Sequence, residues 1–119
     1  MVTKEKLYTN LDPREKQAIG KLLSLLRDAY GEQIKQVFLF GSKARGDANN
    51  DSDIDLLLLV EKESWALKDE ISGIVADINL EFDLLLDLRV IGTKRWQHLD
   101  LIQAGLYRTI SQDAIPLAW

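Results

Sequence analysis

Apolar residues in this chain fall into blocks whose spacing changes along the sequence, and those changes mark out its elements. From Asp12 to Tyr30, Ala18, Ile19, Leu22, Leu23, Leu25, Leu26 and Ala29 recur at helical spacing and form one broad apolar face. Asp12 suits an N-cap, Pro13 the first helical position, and Glu15 gives the spacing of a capping box; Gly31 is a natural stop. Ile34 to Phe40 reads as a strand. Gly41 to Ser52 has no apolar period and holds two glycines, two asparagines and two aspartates, which predicts a loop with room for one helical turn. Ile54 to Val60 is almost wholly apolar, as in a strand covered on both faces. A second helix is expected from Ser64 to about Ile78, with Leu67, Ile71, Ile74, Val75 and Ile78 inward, and Phe82 to Leu88 as a third strand. Trp96, Leu99, Ile102, Leu106 and Ile110 keep a helical rhythm that Gly105 interrupts, and Pro116 suits a short edge strand or an extended tail.

Strands and helices alternate without a linker or a repeat. The expected architecture is a single α/β (α+β) domain over residues 1–119, a small mixed central sheet flanked by helices. The chain's 119 residues suit one core rather than two. A net charge of -4 and a pI near 4.9 weigh against extended binding to nucleic acid, which draws on neutralising phosphates with Lys and Arg. A small-molecule or protein partner is the expectation instead. No apolar run approaches the roughly 20 residues of a membrane span, the first residues do not form a secretory leader, and cysteine is absent. A cytoplasmic protein with no membrane partner is the simplest reading.

The chemistry concentrates in Gly41 to Asp55, GSKARGDANNDSDID. Gly41 follows a strand directly and Gly46 lies a few residues on, so the backbone can turn tightly and approach a ligand. Ser42, Lys43 and Arg45 add a hydroxyl and two cations, suited to phosphate oxygens. Asp53 and Asp55 alternate where a buried strand begins, which puts both carboxylates on one face. Carboxylates sharing a face repel, and a hard divalent cation relieves that repulsion. Mg²⁺ binds one or two carboxylates plus substrate phosphates, and two such ions roughly 3.5–4 Å apart serve phosphoryl and nucleotidyl transfer. A Walker A loop needs Lys-Ser or Lys-Thr after its second glycine, where this chain has Asp47-Ala48; an EF-hand starting at Asp47 needs Gly at Ser52 and Glu at Leu58. Both readings fail. A solvated turn accounts for Asp47 to Asp51 but not for Asp55, which stands before Leu56-Leu57-Leu58-Leu59-Val60.

The string Gly41-Ser42-Lys43-Ala44-Arg45-Gly46, followed by Ser52-Asp53-Ile54-Asp55-Leu56, resembles the signature of the DNA polymerase beta-like nucleotidyltransferase superfamily. More narrowly it resembles the minimal nucleotidyltransferases, short proteins often paired with a HEPN-domain toxin. The resemblance implies a third acidic residue on a neighbouring strand. Asp83, between Phe82 and Leu84, is the expected match, and Asp87, of the same strand parity, is the runner-up. It further implies that Asp53, Asp55 and Asp83 form the catalytic and metal-binding set for two Mg²⁺ ions. Gly41, Ser42, Lys43 and Arg45 would bind the phosphates of a nucleoside triphosphate. The implied reaction moves AMP from ATP onto a hydroxyl, a tyrosine of a cognate HEPN toxin, so that the protein acts as an antitoxin.

Larger members of the superfamily add an acceptor-shaping domain for which this chain has no room, so the acceptor is expected to be the partner itself or to be bound by a partner or a second copy. Two rival readings are a binding-only antitoxin with a vestigial site and an enzyme acting on a small molecule such as an aminoglycoside. The remaining candidates carry little chemistry. His98, the sole histidine, falls on a polar helix face and reads as solvated. Trp65, Trp96 and Trp119 read as core or interface residues rather than base-stacking platforms, with Trp119 a candidate partner contact.

Overall fold

The computed structural model describes residues 11–45, 53–102, 105, 108, 112 and 114–117. Helix α1 (Pro13–Tyr30) starts as its sequence predicts. The Asp12 side chain accepts from the Glu15 N–H at 2.8 Å, and Glu15 returns the bond to the Asp12 N–H at 2.9 Å. This reciprocal box satisfies two of the donors that a helix start leaves open. Strand β1 (Ile34–Phe40), a single helical turn α2 (Ser42–Arg45) and strand β2 (Ile54–Val60) follow.

Helix α3 (Trp65–Phe82) outruns the expected end at Ile78 by one turn, because Phe82 continues the inward series of Ile71, Ile74, Val75 and Ile78. Asp83 then stops it. Its φ of 50° is left-handed, and its N–H bonds back to the Asn79 carbonyl. A short polar side chain tolerates that conformation better than an apolar one. The third strand is displaced accordingly: β3 spans Leu86–Gly92 rather than Phe82 to Leu88. Helix α4 (Thr93–Ile102) and the short strand β4 (Ile115–Pro116) complete the described elements.

The sheet order is β3-β2-β1-β4, with β2 and β3 parallel and the other pairs antiparallel. A mixed sheet was the expectation. Alternation along the strands sorts the side chains onto two faces. Val37, Leu39, Ile54, Leu56, Leu58, Val60 and Leu86 turn toward α1 and α3, where they meet Ala18, Ile19, Leu22, Leu26, Leu67, Ile71 and Ile78. Phe40, Leu57 and Ile91 face the other way, with Phe38, Trp96 and Leu99 packed against them. The Phe38 and Trp96 rings stack at 6.5 Å between centroids. Leu56 and Leu57 both have no exposed surface, so β2 is covered on both faces. Each such leucine contributes about 1.5–3 kcal/mol by burial. Trp65, by contrast, is 87% exposed and belongs to no core.

Asn79 secures the start of β3. Its side-chain amide accepts from the Leu86 N–H at 2.8 Å and donates to the Leu86 carbonyl at 3.3 Å, in the manner of an adjoining strand. Asn79→Leu keeps the volume and removes both bonds, and is expected to destabilise the chain by about 1–3 kcal/mol. A midpoint of chemical denaturation within error of the native value would contradict this role.

Candidate active site

Gly41 ends β1 with a φ of 74°, a left-handed conformation that favours glycine. Its carbonyl accepts from the Ala44 N–H at 3.1 Å, which closes the α2 turn. The Gly41 backbone lies directly against the Asp55 side chain. A Cβ at this position would overlap Oδ2 of that carboxylate and lie 3.2 Å from its carboxyl carbon. Gly41 is therefore required twice, for the turn and for the space beside Asp55.

Across the sheet, Phe40 pairs with Asp55, and Asp55 pairs in turn with Asp87. The three residues form one row. Asp53 lies two residues before Asp55 and so falls on the same face, opposite the main core and beside Leu57. Asp55 is half-buried, while Asp53 and Asp87 are exposed. Asp87, on a terminal strand of the described sheet, also borders a groove of about 430 Å³ between α3 and β3.

Asp83 is not in this row. It is exposed at the end of α3, ahead of the strand that was expected to carry it. The physical reason is the extra turn of α3: once Phe82 is helical, the strand cannot begin before the chain has reversed. Of the two candidates, the backbone register brings Asp87 beside Asp55.

Lys43 also departs from its expected place. Its ammonium stands 2.9 Å from Oε2 of Glu15, and the two side chains are 4% and 6% exposed. It is buried inside the protein, where phosphate contact was expected. Glu15 gave no sign of this in the sequence, because its place in the capping box already accounted for it. The roles expected of the Ser42 and Arg45 side chains and of Gly46 lie outside the described atoms, as does Trp119. His98 is exposed, on the rim of a separate cavity with Glu61, Lys62, Lys94 and Arg95.

The donor set fits a hard divalent cation in kind: Asp53, Asp55 and Asp87 are hard oxygen donors at one end of the sheet, and the carboxylate beside Gly41 has no Cβ to obstruct it. In distance, as the side chains lie, no three carboxylates or histidines among the described residues form a group that could hold an ion. Substrate phosphates commonly supply the remaining ligands of Mg²⁺.

A family model described as a nucleotidyltransferase domain matches residues 19–112. Two proteins of Methanocaldococcus jannaschii, MJ0604 and MJ0141, are both named as candidate protein adenylyltransferases. They are 44% identical over 45 residues and 42% identical over 57 residues. Those matches cover 38% and 46% of this chain, and 45% and 57% of the relatives, so the chain spans about half the length of each. Among solved structures, a toxin–antitoxin complex with AMP-PNP aligns with a TM-score of 0.57 at 23% identity, covering 87% of this chain and 72% of the other. The structure of a protein described as a candidate minimal nucleotidyltransferase aligns with a TM-score of 0.53 at 24% identity, covering 86% of this chain and 94% of the other. The toxin–antitoxin MntA-HepT aligns at 0.52 and 20% identity, covering 87% and 71%. At these identities the likeness establishes a shared fold.

Proposed function

The chain belongs to the nucleotidyltransferase domain family, and we propose that it moves AMP from ATP onto a hydroxyl of a protein acceptor, a tyrosine of a HEPN-type toxin, which it thereby neutralises. The observation that carries this reading is the row Phe40–Asp55–Asp87, with Asp53 on the same face and Gly41 held against Asp55. It places acidic groups beside a tight turn in the motif, as transfer from a nucleoside triphosphate requires. The names of the two archaeal relatives support adenylylation of a protein. Leu85, two residues before Asp87, is 56% exposed, an apolar side chain near the row that suits a protein acceptor better than a small polar one.

In this scheme the acceptor oxygen attacks the α-phosphorus of ATP in line with the bond to the β-phosphate. That bond breaks, pyrophosphate leaves, and the hydroxyl proton passes to a carboxylate, a role we assign to Asp87 on its pairing with Asp55. Asp53, Asp55 and Asp87 would hold Mg²⁺, which when bound neutralises triphosphate charge and favours the ionised acceptor. The protein contributes mainly position and fixed charge.

The test is incubation of the chain, Mg²⁺ and a HEPN-type protein encoded beside it with ATP labelled at the α-phosphate. Label is expected on the partner, falling roughly a hundredfold or more with Asp53→Asn or Asp55→Asn. Native-level labelling by both variants would remove these carboxylates from the site, and label reaching the partner only in a parallel incubation with ATP labelled at the γ-phosphate would make the reaction a phosphoryl transfer.

A further inference from the structure

The Glu15–Lys43 pair joins two parts of the chain that the reaction scheme leaves unconnected. Glu15 sits in the first turn of α1, and Lys43 in the turn that leaves β1 through Gly41. One oxygen of the Glu15 carboxylate accepts from the Asp12 N–H at 2.9 Å, and the other stands 2.9 Å from the Lys43 ammonium. The same carboxylate thus caps α1 and ties down α2. Both residues are buried, at 5% and 3% exposure. Taking two charges out of water is costly, and an apolar pair of similar volume often serves stability as well or better. What an apolar pair cannot supply is direction: a charged, hydrogen-bonded contact fixes where the turn sits relative to the helix.

We propose that Glu15 is a positioning residue for nucleotide binding, acting through Lys43 to hold the α2 turn in place against Gly41 and Asp55. This rests on the nucleotidyltransferase reading, since it takes the α2 turn to be where ATP's phosphates lie. Glu15 itself touches no substrate. Its influence passes along α2, whose turn is closed by the Ala44 N–H onto Gly41, the residue that lies against the Asp55 carboxylate.

The test is a double-mutant cycle on the full chain with Glu15→Gln, Lys43→Met and the two combined. Glutamine also serves at the third helical position of a capping box, so Glu15→Gln removes the charge while leaving the start of α1 closed. Two quantities are measured: the Kd for AMP-PNP without acceptor, and the thermal midpoint. Each single variant is expected to raise the Kd about tenfold, and the double variant no more than either single, because all three lose the same contact. The thermal midpoint is expected to fall in the singles and recover in part in the double, where no buried charge is left unpaired. A Kd for Glu15→Gln within twofold of native would overturn the proposal and leave the pair a structural tie. Fully additive effects would also overturn it, since Lys43 would then act on the phosphates independently of Glu15. Failure of the native chain to bind AMP-PNP would overturn the nucleotidyltransferase reading and this proposal with it, whereas native binding with an unchanged Glu15→Gln Kd overturns this proposal alone.

Discussion

Asp87→Asn is expected to reduce transfer of labelled AMP roughly a hundredfold or more, while Asp83→Gly leaves the rate within about twofold. The two residues are four apart, and the structure puts them in different places. Asp87 pairs in register with Asp55, on the face that also carries Asp53. Its replacement by asparagine preserves size and hydrogen bonding but removes the charge that a cation or a departing proton requires. Asp83 holds the left-handed position at the end of α3. Glycine adopts that conformation without a Cβ penalty, so Asp83→Gly is expected to raise the thermal midpoint by a few degrees, in line with about 0.5–1 kcal/mol. Rates are to be compared at saturating ATP and acceptor, with the midpoint measured on the same preparations. Loss of transfer in Asp83→Gly with a native-like midpoint would return the third carboxylate to Asp83.

The contrast between those residues shows where the sequence was legible and where it was not. Strands Ile34–Phe40 and Ile54–Val60 are found with the expected ends, and α1 with its expected caps, because each is bounded by residues whose local chemistry permits little else. The Asp12–Glu15 box is decided within four residues. The boundary between α3 and β3 is not. Phe82-Asp83-Leu84 alternates as a strand would, yet Phe82 also continues the helical face of Ile78, and packing against the core decides between them. That decision moved β3 by four positions. Because four is even, strand parity was kept, and parity alone could not separate Asp83 from Asp87. The Glu15–Lys43 pair was hidden for another reason. Its members are 28 residues apart, and local patterns assign each a complete role without the other. Long-range pairing of charges leaves no periodic trace in a single sequence.

Gly41→Ala is expected to be the most damaging Gly→Ala change among the described glycines. Two costs combine. The left-handed φ of 74° is unfavourable for any residue with a Cβ, by roughly 1–2 kcal/mol. The new methyl would also overlap the Asp55 carboxylate, and forced contacts of this kind cost about 1–3 kcal/mol. The strain can relax only if α2 lifts away or the Asp55 carboxylate rotates, and either movement disturbs the proposed site. A loss of about 2–4 kcal/mol in stability is therefore expected together with a roughly hundredfold fall in transfer rate. The rate is to be measured well below the variant's own midpoint, so that the folded fraction does not limit it. Gly73→Ala is the matched control. It lies within α3, a Cβ there meets nothing within 4 Å, and helix propensity favours alanine by about 0.5–1 kcal/mol. Gly73→Ala should raise the midpoint and leave transfer unchanged. If Gly41→Ala instead retains native AMP-PNP affinity and rate while losing only stability, the close approach of Gly41 to Asp55 serves the fold and not the chemistry.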